Sequence, residues 1–140
     1  MPPVECPFRT VDRLLDLIQA ETNTIIVDFH AEATSEKIAM GWHLDGRVTA
    51  LLGTHTHVPT ADERILAGGT AYISDVGMVG PYDGILGMAR EGVLQKFLTQ
   101  LPQRFEVDTE GATQFNAVLI DIDLKTGRAK SIERIRYIND

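Results

Sequence analysis

The histidines of this chain concentrate where two apolar segments end. His30 follows the segment 24–29, and His55 and His57 follow the segment 47–53. Imidazole is a ligand suited to zinc, iron, nickel or copper, and oxygen ligands nearby widen the choice to manganese. Two histidines two residues apart at a strand exit face one side, where they could bind one ion or a pair about 3.5–4 Å apart. The pattern predicts a metal site with these three histidines as ligands.

A His-x-His pair alone also occurs by chance, so the prediction depends on His30 at the second strand exit. The threonines between the histidines, Thr54 and Thr56, could hydrogen-bond a phosphate, but β-branched residues also suit extended backbone. His43 is interpreted as a capping or surface residue, because it lies late in a predicted helix, where the helix dipole favours a cation.

Carboxylates near these histidines in the sequence are Asp28, Glu32, Asp62 and Asp75. Each is interpreted as a residue that orients a ligand or supports the fold, rather than as a direct ligand. Asp28 could orient the ring of His30, or it could pair with a backbone group or a cation. The glycines at 77, 80 and 84 could bring backbone close to a phosphate, but glycines more often serve turns.

The hydrophobic pattern of the first half predicts an α/β fold. Helices are predicted over 10–20, with Thr10 as N-cap, and over 34–44, with Thr34 or Ser35 as cap. Strands are predicted over 24–29 and 47–53, and with the helix between them they fit a right-handed βαβ unit. Ligands bind beyond the carboxyl ends of such strands, which is where the histidines fall.

The second half is different in character. A strand is predicted over 70–74 and a helix over 84–100 that tolerates internal glycines and ends before Pro102. Three further strands, 104–107, 116–124 and 129–138, with a hairpin turn at 125–128, predict an antiparallel ribbon. The expected architecture is a βαβ unit followed by a helix and this ribbon.

Composition describes an ordinary globular chain of 140 residues, with 44% hydrophobic and 24% charged residues. The formal net charge is −7 without a Lys/Arg cluster, which argues against general nucleic-acid or anionic-membrane binding. Cys6 is the single cysteine, and no apolar run of transmembrane length is present, so a cytoplasmic location without membrane association is expected. The Pro-rich start fits the middle of a domain or an N-terminal arm.

Several separated blocks resemble the bacterial YmdB-type metallophosphoesterases, a branch of the calcineurin-like phosphoesterases. The blocks are Asp28 to Lys37, Asp45 to Val48, Gly53 to Val58, Thr60 to Asp62, Arg64 to Leu66, Gly69 to Tyr72, Asp75 to Met78 and Gly80 to Asp83. They occur in the family's order, and the similarity extends from about Pro2 to Ile135.

The resemblance implies half of an α/β/β/α sandwich and a centre of two divalent ions, of iron, manganese or zinc. In the family pattern His57 binds one ion, and His30 and His55 bind the other. The implied substrates are 2′,3′-cyclic nucleotides or related small phosphoesters. A two-ion centre suits this chemistry, because the ions stabilise charge on both the attacking and the leaving oxygens.

The family's Asp-containing first block, its bridging acidic ligand and its Gly-Asn-His block do not occur in this sequence. Residues 1–140 are therefore expected to form a single partial domain that corresponds to the family's C-terminal half. The catalytic residue is left unassigned, and little or no activity is expected of this chain alone. The alternative is a non-catalytic module. Such a chain would form a homo-oligomer or bind a complementing N-terminal segment, because a missing half would leave apolar surface uncovered.

Overall fold

The computed structural model describes residues 4–139. In this range the helices are α1 (Pro7–Ile18), α2 (Thr34–Leu44) and α3 (Arg90–Thr99). The strands are β1 (Ile26–His30), β2 (Ala50–Thr54), β3 (Arg64–Ile65), β4 (Ala71–Ile73), β5 (Gly80–Pro81), β6 (Thr113–Asp123) and β7 (Arg128–Asn139). None of the described helices has the length and apolar character needed to cross a membrane.

The first sheet has the strand order β1-β2-β4-β3. Strands β1, β2 and β4 are parallel, whereas the two-residue β3 is antiparallel to β4. The chain runs from β1 through α2 to β2, which confirms the predicted βαβ unit. His30, the last residue of β1, is paired in register with Thr54, the last residue of β2. The carboxyl ends of the two strands therefore stop at the same level.

Helices α1 and α2 cover one face of this sheet. Leu15 of α1 and Met40 and Leu44 of α2 are at most 2% exposed, and they pack with Leu51 of β2 and Tyr72 of β4. Burial of an aliphatic side chain of this size contributes roughly 1.5–3 kcal/mol, so this layer fixes α2 firmly against the strands. Because α2 directly follows His30, its packing also sets where the exit of β1 lies.

The other face of the first sheet packs on a second, antiparallel sheet with the order β5-β6-β7. Strands β6 and β7 form a long hairpin around the turn at 124–127, which confirms the predicted ribbon. Ala50, Ala71 and Ala129 meet between the sheets, and their small side chains allow a close approach of the two backbones. The resulting order of helices, sheet and sheet confirms the α/β class.

The helix predicted over 84–100 is shorter, because only Arg90–Thr99 is helical. Leu86 and Gly87 have φ values of 52° and 89°, which interrupt a right-handed helix. Residues 84–89 instead form a turn in which Ile85 and Met88 exchange backbone hydrogen bonds. The glycines at 84 and 87 thus end the apolar periodicity, and they are not tolerated inside the helix as predicted.

The strand predicted over 104–107 is wrong. Only Val107 takes part in β structure, through an isolated bridge to Met88. Phe105 and Val107 are 39% and 61% exposed. Residues 104–107 therefore lack the buried apolar face that would stabilise a paired β-strand.

The predicted helix caps are also wrong. Helix α1 begins at Pro7 rather than after Thr10, and proline suits the first helical turn because its missing N–H has no intrahelical partner there. Helix α2 begins at Thr34 as predicted, but its N-cap is Ala33, with no side-chain cap from Thr34 or Ser35. Neither helix therefore begins with a side-chain cap.

Candidate metal centre

The exits of β1 and β2 bring His30 and His55 together. Nε2 of His30 lies 3.2 Å from Nδ1 of His55, and the rings meet edge to face with centroids 5.1 Å apart. This proximity follows from the parallel register, which places His30 beside Thr54 and hence next to the residue after it. Both imidazoles are exposed at the end of the sheet.

Thr54 and Asp28 hold the ring of His30. The Thr54 hydroxyl donates its single hydrogen to Oδ1 of Asp28 at 3.0 Å, because a carboxylate can only accept. The same hydroxyl lies 3.1 Å from Nδ1 of His30, so Nδ1 must carry the hydrogen in that contact. This assignment leaves the lone pair of His30 on Nε2, directed toward His55. Asp28 thus orients His30 as the sequence suggested, but through Thr54.

The His30–His55 pair fits two ligands of one ion. Two nitrogens bound to a tetrahedral ion at about 2.0–2.1 Å lie roughly 3.3 Å apart, which matches the 3.2 Å between these atoms. Without an ion, the same contact is an N–H···N hydrogen bond from Nδ1 of His55. Across residues 4–139, no three side chains of histidine, cysteine, aspartate or glutamate are grouped to hold a metal. The pair therefore supplies two donors of a coordination sphere that needs more.

His57 lies outside this pair. Its Nδ1 is 3.4 Å from the carbonyl oxygen of Leu86, in the turn before α3. Its φ of 64° is in the left-handed region, which a non-glycine residue occupies only when its surroundings hold it there. Its role as a metal ligand stays a prediction, as does that of His30 and His55.

Asp62, which the sequence suggested as an orienting or structural residue, and its neighbour Glu63 both make specific contacts. Oδ1 of Asp62 accepts hydrogen bonds from the Thr60 hydroxyl at 2.7 Å and the Ser74 N–H at 3.0 Å. Burial raises the pKa of Asp62, but these hydrogen bonds outweigh it and place the pKa below its usual range. Glu63 forms an ion pair with Arg134 of β7 at 2.7 Å. Both carboxylates support the fold.

His43 lies apart from the other histidines, in agreement with its interpretation. Its Nε2 is 2.9 Å from Oδ1 of Asp12 in α1, and Arg47 approaches the same carboxylate oxygen at 2.7 Å. The hydrogen bond from Arg47 lowers the pKa of Asp12, which burial opposes. This cluster ties α1 to the C-terminal end of α2.

Sequence reasoning missed a buried ion pair directly behind the histidines. Nζ of Lys37 donates to Oδ2 of Asp75 at 3.2 Å, and each side chain is 1% exposed. Asp75 also accepts the N–H groups of Thr56 and Gly77. Burial raises the pKa of Asp75, but the hydrogen bonds from Thr56 and Gly77 and the Lys37 ammonium outweigh it and lower the pKa. Lys37 carries no chemical pattern in the sequence, because a helical lysine is normally exposed.

A family model described as YmdB-like protein matches residues 1–135. A 2′,3′-cyclic-nucleotide 2′-phosphodiesterase of Bacillus subtilis is 58% identical over 140 residues, which cover all of this chain and 52% of that relative. A putative phosphatase/phosphodiesterase of Mycoplasma pneumoniae is 42% identical over 135 residues, or 96% of this chain and 47% of that relative. The chain spans about half the length of the curated relatives it matches.

Two crystal structures share the fold over the full chain. That of a novel phosphatase from Mycoplasma pneumoniae superposes with a TM-score of 0.91 at 39% identity, and the match covers 50% of that chain. That of a hypothetical protein from Thermus thermophilus superposes with a TM-score of 0.90 at 43% identity, and the match covers 54% of that chain.

Proposed function

The chain belongs to the YmdB-like protein family, and from this premise we propose that it supplies the histidine part of a metal-dependent phosphoesterase centre. In its complete form the protein would hydrolyse 2′,3′-cyclic nucleotides or related phosphodiesters. The observation that carries the proposal is the His30–His55 pair, whose facing nitrogens are 3.2 Å apart. The names of the relatives, phosphodiesterase and phosphatase, supply the reaction class.

The residues of this chain would hold and orient the centre. His30 and His55 would bind one ion, and His57 the other, which agrees with the separation of His57 from the pair. Thr54 and Asp28 would keep His30 in the tautomer whose Nε2 is free to coordinate. Two divalent ions, when bound, would stabilise negative charge on the attacking and leaving oxygens of the phosphodiester.

The negative net charge of the chain supports the proposal that a bound metal ion is needed to hold an anionic substrate. A phosphodiester is an anion, but the net charge of the chain is −7. Lys37, which lies behind residues 55–57 (the histidine loop), is buried and neutralised by Asp75. A bound cation is one means by which an acidic protein holds a phosphate, because the ion is often the largest local charge. The metal identity, iron, manganese or zinc, follows from the family resemblance alone.

We further propose that residues 1–140 alone have little or no phosphodiesterase activity. The described part of the chain groups only two candidate nitrogen donors, whereas a two-ion centre requires ligands for both ions. The open edge of β1 favours completion by further polypeptide: within residues 4–139 this strand pairs only with β2. Ile26, Asp28 and His30 on that strand are exposed. The added polypeptide would contribute the remaining ligands beside His30.

The test measures metal binding and turnover in the same preparations. The purified chain is titrated with Mn²⁺ and Zn²⁺ and assayed on 2′,3′-cyclic AMP. It is then mixed with a polypeptide that spans the part of the Bacillus subtilis relative outside the match. We expect ion binding by the chain, no measurable turnover alone, and turnover in the mixture. Replacing the chain in the mixture by its His55→Ala variant should abolish that turnover.

Other outcomes separate the alternatives. Turnover by the chain alone that is lost in His55→Ala would contradict the need for added ligands. Absence of ion binding together with absence of turnover in the mixture would contradict the metallophosphoesterase function. Ion binding with one-to-one stoichiometry but no turnover in any mixture would favour a mononuclear metal-binding protein.

A non-catalytic module is the second candidate, and exposed apolar residues on α3 favour it. Leu94, Phe97 and Leu98 of α3 and Leu101 just after it are 51–78% exposed and recur at helical spacing. A stripe of this kind favours self-association or a protein partner in the cytoplasm. Analytical ultracentrifugation of the chain and of a Phe97→Ser/Leu98→Ser variant tests it. A monomer for the unaltered chain at all concentrations would contradict homo-oligomer formation.

A further inference from the structure

We propose that Lys37 and Asp75 are positioning residues that hold the histidine-bearing exits of β1 and β2 and the exit of β4 in one arrangement. The proposal rests on the proposed function for what this arrangement binds, but the positioning itself concerns only the apo chain. It assigns a role to the buried ion pair between Lys37 on α2 and Asp75 after β4.

Stability alone does not account for this pair. Each side chain is 1% exposed, and removing two charges from water costs several kcal/mol per ion before their attraction repays it. Apolar residues of similar volume often stabilise such a position as well or better. A buried pair of this kind therefore indicates that its hydrogen-bonding geometry is needed.

The geometry in question is that of two backbone amides. Oδ2 of Asp75 accepts the N–H of Thr56 at 2.8 Å, and Oδ1 accepts the N–H of Gly77 at 3.0 Å. Thr56 lies between His55 and His57, so its amide fixes the backbone from which both imidazoles extend. Gly77 lies in the loop after β4, whose own exit is thereby joined to the histidine loop.

Nζ of Lys37 donates to Oδ2 of Asp75, the oxygen that also accepts the Thr56 N–H, and the lysine stem reaches this position past Gly53. A Cβ atom on Gly53 would lie 2.9 Å from Cδ of Lys37 and 2.0 Å from the carbonyl oxygen of Ser74. No side chain fits between these neighbours. The absence of a side chain at Gly53 therefore leaves the space in which Lys37 extends from α2 toward the histidine loop. Because α2 starts four residues after His30, the same lysine ties the exit of β1 to that of β2.

The left-handed backbone of His57 needs such support. A φ of 64° at a non-glycine residue persists only where neighbouring contacts determine it. The residue immediately before His57 is Thr56, whose N–H donates a hydrogen bond to Asp75. We infer that loss of the Asp75 acceptor frees the loop 55–57 while the strands that flank it remain folded.

The experiment compares the unaltered chain with Lys37→Met, Asp75→Asn and the double variant that carries both changes. The matched control is Met40→Ala, which removes buried volume from the same helix, since Met40 is 1% exposed and contacts the core on the sheet. Amide hydrogen exchange followed by NMR reports on Thr56 and Gly77, and on Leu51 and Ile73 within the strands. Titration with Co²⁺, followed by its visible absorption, reports on the histidines.

We expect Lys37→Met to lower the protection of both Thr56 and Gly77, and Asp75→Asn to lower that of at least one of them, by at least about tenfold more than that of Leu51 and Ile73. Co²⁺ binding should weaken about tenfold or more in both variants. Met40→Ala should lower the protection of all four amides together and leave Co²⁺ binding unchanged. The double variant has no uncompensated buried charge. It should therefore be globally more stable than Lys37→Met. It should also regain hydrogen-exchange protection at either Thr56 or Gly77, because asparagine keeps one acceptor oxygen.

Equal loss of protection at the loop and the strands in every variant would overturn the proposal and leave the pair a structural element. Unchanged protection of both Thr56 and Gly77 in Asp75→Asn would overturn it as well. If the unaltered chain binds no Co²⁺, the proposed metal centre fails, while the exchange of Thr56 and Gly77 still decides whether the ion pair positions the loop. If Lys37→Met does not fold, the double variant and Asp75→Asn carry the comparison.

Discussion

The hydroxyl of Thr54 lies 3.1 Å from Nδ1 of His30 and places the hydrogen of that imidazole away from His55. The acceptor behind the hydroxyl is Asp28, at 3.0 Å. A histidine that binds metal commonly donates its other ring N–H to such a partner, which fixes both its tautomer and its ring orientation. One β-branched residue that resembles an ordinary strand residue therefore sets the tautomer and the ring orientation of the neighbouring His30.

The first prediction concerns Thr54. Thr54→Val keeps the shape of the side chain but removes the acceptor of the His30 N–H, so we expect Co²⁺ binding by the chain to weaken about tenfold. Thr54→Ser keeps the hydroxyl and should retain affinity within about a factor of two or three of the unaltered chain. Isothermal titration measures both. Equal affinities for the valine and serine variants would contradict the role of the hydroxyl.

The second prediction separates the histidines. His55→Ala removes one of two facing nitrogens and should abolish the tightest Co²⁺ site of the chain, whereas His57→Ala should leave that site in place, because His57 contacts the Leu86 carbonyl instead. His43→Ala is the control, since His43 pairs with Asp12 between the two helices. Equal loss of binding in His55→Ala and His57→Ala would mean that all three histidines share one ion.

The sequence was sufficient to predict the βαβ unit of the first sheet and the meeting of His30 with His55 at one of its edges. The apolar runs before His30 and His55 identify the strands of a βαβ unit, and parallel strands necessarily bring their carboxyl ends to one edge. Lys37 could not be predicted, because its burial depends on Asp75, 38 residues further along the chain. The turn before α3 could not be predicted either, since the left-handed φ of Leu86 contradicts its helical periodicity.

The third prediction concerns Tyr72, whose hydroxyl is buried without a hydrogen-bond partner among residues 4–139. Tyr72→Phe removes an unsatisfied polar group and keeps the ring, so we expect the free energy of unfolding to rise by about 1 kcal/mol or to stay unchanged at pH 7. Tyr137→Phe, at a 61% exposed position, is the control and should have no effect. Urea denaturation measures both. A loss of stability in Tyr72→Phe would show that the hydroxyl has a partner.

Tyr72 also makes the stability of the chain depend on alkaline pH. Burial, assisted by the negative charge of Asp62, raises the pKa of Tyr72 to about 12, whereas an unfolded tyrosine has a pKa of about 10. The folded state thus favours the neutral phenol. Its contribution is fully present below about pH 10 and is lost as the pH rises to about 12. Denaturation at pH 9, 10 and 11 should show a shallower decline for Tyr72→Phe than for Tyr137→Phe.

The fourth prediction concerns acid, and it depends on Asp62. Burial raises the pKa of Asp62, but the hydrogen bonds from the Ser74 N–H and the Thr60 hydroxyl lower it by more than burial raises it. The folded-state pKa therefore lies below the unfolded value of about 3.9. A carboxylate of this kind adds stability above about pH 4 that is lost as the pH falls through its folded pKa. Asp62→Asn should therefore be less stable than the unaltered chain at pH 7, with the difference narrowing between pH 4 and pH 2. Urea denaturation across that range measures the difference in the free energy of unfolding. If this difference is the same at every pH, the destabilisation comes from altered hydrogen-bond geometry and not from the charge of Asp62.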